Sequence, residues 1–123
     1  MEGDRSLIVA LGADPTPLRS GGKVRWRLTV TNRSAWEDSL TFPTAQLGEV
    51  ILEREGGEHY RWSDGRLFVQ VVTEQRLEPE ATVTITLDDS LDVEPGVYEA
   101  VGIVTCVPRP PPVRLEVAVE ARS

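Results

Sequence analysis

Nine consecutive residues, Lys23-Val24-Arg25-Trp26-Arg27-Leu28-Thr29-Val30-Thr31, alternate between polar and apolar side chains. In an extended backbone successive side chains point to opposite faces. Val24, Trp26, Leu28 and Val30 therefore share one face, and Lys23, Arg25, Arg27, Thr29 and Thr31 the other. Such a segment belongs in a sheet with one dry and one wet face, and a second layer has to cover the dry one.

The same period recurs twice. Over Ala81 to Leu87, Val83, Ile85 and Leu87 point inward while Thr82, Thr84 and Thr86 point outward. Over Val113 to Val119, Val113, Leu115, Val117 and Val119 alternate with Arg114, Glu116 and Ala118. Shorter strands are expected at Leu7 to Leu11, Ser39 to Phe42, Glu49 to Arg54, His59 to Trp62 and Val97 to Thr105. Gly21-Gly22, Gly56-Gly57, Asp64-Gly65, Glu78-Pro79 and Pro95-Gly96 separate them with turn chemistry, and Gly56-Gly57 marks a hairpin. In Leu67-Phe68-Val69-Gln70-Val71-Val72-Thr73, the residues Leu67, Phe68, Val71 and Val72 would also share a helical face. Four β-branched side chains and no cap favour a strand there. About seven to nine strands and no helix give an all-β antiparallel sandwich.

One domain over 1–123 suits a chain of 123 residues with 40% hydrophobic content. With 13 basic and 20 acidic residues the net charge is −7, which works against phosphate backbones and anionic lipid alike. The chain is therefore expected to bind neither nucleic acid nor membrane; a monomer is the separate expectation for its own association. The apolar run Leu7 to Leu11 is too short to span a bilayer, and the flanking Glu2 and Asp4 do not suit a secretory leader. Cys106 is the only cysteine, so no intrachain disulfide can form; the expected compartment is the cytoplasm, with Cys106 as a small buried hydrophobe.

Asp92-Val93-Glu94-Pro95-Gly96-Val97-Tyr98 reads as a tight turn feeding a strand that begins at a tyrosine. It resembles the corner of immunoglobulin-like sandwiches, where the tyrosine hydroxyl bonds back to nearby backbone. Two residues on, where antibody domains carry a cysteine, stands Ala100. Trp26 would fill the space of the missing bridge, and its indole N–H would need an acceptor.

Several pieces in order, from about Val24 to Val104, resemble the intracellular proteinase inhibitor (BsuPI) family. They are Leu28-Thr29-Val30-Thr31-Asn32, Thr41-Phe42-Pro43-Thr44-Ala45-Gln46, Val50 with Gly56-Gly57, Trp62-Ser63, Phe68-Val69-Gln70, Leu77-Glu78-Pro79-Glu80 and Pro95-Gly96-Val97-Tyr98. Phe42 with Gln46, Trp62-Ser63 and Phe68-x-Gln70 form the more specific combination. Ala45 and Glu80 depart from the pattern at places where glycine is expected. The resemblance implies a non-enzymatic module that binds a serine protease and occludes its cleft with a loop. The alternative is a structural or protein-interaction module of a larger bacterial protein that inhibits nothing.

Inhibition requires an exposed loop held extended in the protease cleft. Ser63-Asp64-Gly65-Arg66-Leu67 offers Arg66, and Val107-Pro108-Arg109-Pro110 offers Arg109, with a proline after it to hinder hydrolysis. Both arginines would suit a trypsin-like pocket. Trp36 is either an exposed interface anchor or a cover folded over the sandwich end. His59, the one histidine, lies too close in sequence to Ser63 and Asp64 for a triad, and no catalytic residue, cofactor or metal is expected. Asp88 to Glu94 reads as a solvated acidic loop and Asn32-Arg33-Ser34 as a turn.

Overall fold

The computed structural model describes residues 6–122 and places ten strands and no helix among them. In chain order they are β1 (Leu7–Asp14), β2 (Leu18–Arg19), β3 (Lys23–Asn32), β4 (Asp38–Phe42) and β5 (Gly48–Arg54), followed by β6 (Gly57–Arg61), β7 (Thr73–Leu77), β8 (Thr82–Ser90), β9 (Gly96–Val104) and β10 (Val113–Glu120). One sheet runs β1-β3-β8 and the opposing one β2-β10-β9-β5-β6, with β4 and β7 as a two-stranded ribbon. Every pairing is antiparallel except the short β2–β10 contact, so the immunoglobulin-like sandwich expected from the sequence is what forms.

The alternation in β3 sets the core. Leu28 lies opposite Leu11 of β1 and Ile85 of β8, and Trp26 lies opposite Ala13 and Leu87. Val24, Trp26, Leu28 and Val30 are all buried, as are Ile85, Leu87, Val117 and Val119. Val83, Val113 and Leu115 pack half-buried at its margin. Two glycines of the opposing sheet make room for Leu28. A Cβ on Gly48 would fall 2.7 Å from one Leu28 methyl, and a Cβ on Gly102 would fall 2.8 Å from the other.

The corner forms as expected, with the Tyr98 hydroxyl donating to the Glu94 carbonyl at 2.6 Å. Arg54 lies 4.5 Å over the Tyr98 ring, and His59 packs edge-on to it at 5.8 Å. Ala100 is fully buried in the place of a bridging cysteine, and Cys106 is a free, buried thiol. Trp26 Nε1 finds its acceptor in the Tyr60 hydroxyl at 3.3 Å, and Tyr60 in turn donates to Asp89 at 2.7 Å.

Four details differ from the sequence reading. Ten strands exceed the expected seven to nine because β2 and β7 carry no apolar alternation that would announce them. Leu67–Thr73 is not a strand: pairing with β4 begins only at Thr73, and the doublets Leu67-Phe68 and Val71-Val72 leave no single face to bury. Asp88, Asp89 and Ser90 continue β8 rather than starting a loop, because Arg25 stands opposite Asp88 and pairs with it at 2.7 Å. Beyond them Leu91 and Val93 are buried, so the carboxylates of this stretch do not converge on one point in solvent. Asn32, finally, is the last residue of β3 and fully buried. Its amide donates to the Trp36 and Leu77 carbonyls at 2.8 and 2.9 Å, and its carbonyl oxygen accepts from the Ser34 N–H and hydroxyl at 3.0 and 2.8 Å.

Candidate functional site

β6 and β8 each form one edge of their sheet, and after Arg61 the chain crosses from one of these edges to the other. The crossing is held by side chains. Trp62 is buried, its backbone N–H bonds the Val50 carbonyl at 2.9 Å, and its indole N–H donates to the Asp88 carbonyl of β8 at 3.0 Å. The Ser63 N–H donates at 3.0 Å to the buried carboxylate of Glu49. That carboxylate also accepts from the Val50 N–H at 3.1 Å, the Gln46 amide at 3.4 Å and Arg61 at 3.5 Å. A buried charge is tolerable only when its lone pairs are filled in this way. Ser63 to Arg66 then closes a turn, with the Arg66 N–H bonding the Ser63 carbonyl at 3.0 Å and Gly65 at φ +77°, a conformation costly for other residues.

The next six residues, Leu67 to Val72, run without secondary structure over the surface. Leu67 is completely exposed, Val69 69% and Val72 68%. Four tethers keep the segment in place. Arg66 anchors its start, the Phe68 ring packs 5.7 Å from that of Trp62, the Val69 carbonyl accepts the Ala45 N–H at 2.9 Å, and Thr73 enters β7. An exposed apolar loop fixed at both ends and in the middle has already lost much of the freedom that binding would otherwise cost.

The residues singled out by sequence lie in three separate places. Arg66 does not project from its loop. Its Nε donates to the Trp62 carbonyl and its Nη2 to the Asp88 carbonyl, both at 2.9 Å, with Asp89 at 3.3 Å. The guanidinium stacks 4.2 Å over the Trp62 ring. Arg109 sits in the β9–β10 connection, exposed and, among the described residues, without an ion pair, beside a buried Pro110. Trp36, in the β3–β4 turn, is 79% exposed rather than folded over the sandwich end. His59 has Tyr98 as its ring neighbour, not Ser63 or Asp64. Among the described residues no cluster of metal-ligating side chains forms, and no helix is long and apolar enough to cross a membrane.

Electrostatics at the crossing favours a fixed scaffold. Burial, and then the bond to Asp89, push the Tyr60 hydroxyl well above the ordinary phenol range, the Trp26 N–H opposing them weakly. The bond from Arg25 holds the Asp88 carboxyl below its ordinary value. Of the residues that carry the more specific part of the resemblance, Gln46, Trp62-Ser63 and Phe68 meet around Glu49 and Trp62 at the base of the loop. The loop itself escaped the sequence reading. Its signal was the doubled apolar residues, which break the period of two in a segment too short for a buried helix.

Comparison with known structures returns the fold. The alkylpurine DNA glycosylase AlkC of Pseudomonas fluorescens aligns with a TM-score of 0.56 at 11% identity, over 97% of this chain and 32% of its own. The β-glucosidase EmGH1 of Erythrobacter marinus aligns at 0.53 and 14% identity, over 94% of this chain and 16% of its own. The CARDB domain of the PF1109 protein from Pyrococcus furiosus aligns at 0.51 and 14% identity, covering 94% of this chain and 89% of that domain. The chain thus spans about a third of the first and a sixth of the second, and at such identity only the sandwich is shared. No curated protein matches the sequence. The model of the intracellular proteinase inhibitor family (BsuPI) matches residues 12–108, wider on both sides than the stretch from Val24 to Val104 that carries the resemblance, and the chain belongs to that family.

Proposed function

We propose that this protein is a non-enzymatic inhibitor that acts inside the cell by laying the Leu67–Val72 loop into the cleft of a serine protease. The single observation that carries the reading is a six-residue, mostly apolar surface segment, exposed except at Phe68 and tethered at both ends. Family membership supplies the class of partner. A protease cleft takes an exposed surface segment, and a loop already tethered in place binds without a large ordering cost.

The loop selects its partner by side-chain type. Leu67, Val69 and Val72 offer branched apolar groups, and the basic Arg66 is turned onto Trp62 and Asp88. The partner is therefore a protease with apolar pockets rather than a trypsin-like one. A second reading rests on Arg109, exposed between Pro108 and Pro110, which would suit a trypsin-like pocket.

Titration against subtilisin-like, chymotrypsin-like and trypsin-like proteases separates the two. Stoichiometric inhibition of an apolar-specific enzyme is expected. It should weaken at least ~30-fold in Leu67→Asp or Val69→Asp, the loss of one interface hot spot of about 2 kcal/mol. Arg109→Ala should leave it unchanged. Inhibition confined to trypsin-like enzymes and abolished in Arg109→Ala would instead establish the second reading. No inhibition at micromolar protein would sink both and leave an interaction module of a larger protein.

A further inference from the structure

The geometry points to Arg66 as the positioning residue that keeps the Leu67–Val72 loop in one shape and protects it from hydrolysis. This rests on the reading of that loop as the inhibitory segment. A loop that binds a protease like a substrate is cut unless its ends are held so firmly that the new termini cannot leave the cleft. Of the tethers described above, Phe68 is a packing contact and the Ala45–Val69 hydrogen bond is a single backbone link. Thr73 holds only the far end, on β4, while Arg66, with Trp62, joins the start of the loop to the opposite sheet.

Its guanidinium makes four contacts at once. It bonds the Trp62 carbonyl and the Asp88 carbonyl, each at 2.9 Å, faces Asp89 at 3.3 Å and stacks on the Trp62 ring at 4.2 Å. Only a planar fork with several fixed donors can reach two carbonyls while lying flat on an indole; an ammonium group is a point charge and cannot. The Asp88 carbonyl belongs to an edge strand, and the Trp62 indole N–H shares it at 3.0 Å. The loop is thus referred to the rigid frame of β8. The consequence reaches Ala45, whose N–H is protected by the Val69 carbonyl only while the loop stays in place.

Arg66→Ala and Arg66→Lys test this beside Arg114→Ala, which removes an exposed arginine paired with Glu53 and Glu99 on the far sheet. Two measurements are made on the full chain. Amide hydrogen exchange without protease should quicken at least tenfold at Ala45 and Val71, the two N–H groups that bond the Val69 carbonyl, in Arg66→Ala, with β3 and β9 unchanged. Incubation with the inhibited protease should convert Arg66→Ala from inhibitor to substrate, with fragments ending within 67–72 and inhibition weakened at least tenfold. Arg66→Lys should fall between it and the wild type, and Arg114→Ala should match the wild type in both.

Faster exchange throughout the sandwich in both Arg66 variants would make the residue a general stabiliser and overturn the assignment. So would an Arg66→Ala protein that inhibits as tightly and survives as long as the wild type while Leu67→Asp fails to inhibit. If the wild type inhibits no protease, the functional reading itself falls, and the role in inhibition falls with it.

Discussion

Replacing Asn32 by aspartate changes one atom group at the best-satisfied buried polar side chain of the sandwich. The native amide donates to two carbonyls, of Trp36 and Leu77, while its oxygen accepts twice from Ser34. An ionised carboxylate keeps the Ser34 bonds and loses both donors. It points a negative charge at two carbonyl oxygens in a site with no solvent access. Two donated bonds are worth about 0.5–1.5 kcal/mol each, and an uncompensated buried charge costs about 3–5 kcal/mol, so Asn32→Asp should lose at least 3 kcal/mol at pH 7. Against a typical margin of about 5–15 kcal/mol that is a large fraction.

The loss should depend on pH. Burial and the facing carbonyls raise the folded-state pKa of the new carboxyl above its unfolded value of about 3.9. The protonated form can donate one bond, so its contribution is present below about pH 4 and disappears as pH rises through the folded-state value. Urea denaturation at several pH values, with Asn32→Ala as a neutral reference, reads this directly. The deficit of Asn32→Asp relative to the wild type should grow from pH 4 to 7, and that of Asn32→Ala should stay flat. A deficit below about 1 kcal/mol at pH 7, or one that does not change with pH, refutes the account.

Tyr60→Phe should cost about 1–3 kcal/mol at neutral pH, because Trp26 Nε1 and Asp89 both lose their partner. The native hydroxyl titrates above its unfolded value of about 10, so its stabilisation is intact below that pH and is lost as pH rises beyond it. Wild-type and variant melting temperatures should therefore converge in alkali, and a constant gap would contradict the burial of that hydroxyl. Cys106→Ala should cost about 1–2 kcal/mol through the void left at a fully buried thiol. Reductant should not move the melting temperature of the wild type; a shift would show that the thiol takes part in a disulfide.

The sandwich was legible because β3, β8 and β10 each bury one face against a packed layer, which forces period two on the sequence. The corner was legible because a Pro-Gly turn followed by tyrosine has few uses. β7 was invisible, since only Leu77 of its five residues is buried and its pairing with β4 leaves no apolar trace. Arg66 was read correctly as a loop residue, but nothing local says that a guanidinium will fold back onto Trp62. The partner that takes it, the Asp88 carbonyl, lies 22 residues away and is a backbone atom without a sequence signature. The apolar loop was misread for the opposite reason: its composition suits a buried strand, and only its broken alternation argued otherwise.

The packing of Leu28 against Gly48 and Gly102 limits which substitutions this chain can accept. Leu28 occupies from one side the volume that side chains on Gly48 and Gly102 would need from the other. Enlarging either glycine first pushes the buried Leu28 side chain from its place, at a cost of about 1–3 kcal/mol. Shortening Leu28 first removes the nearest obstacle at both positions, leaving a Cβ on Gly102 still 3.3 Å from Leu11 and Val113. The three positions are sterically coupled, so the order in which they are substituted decides how far the core is disturbed on the way.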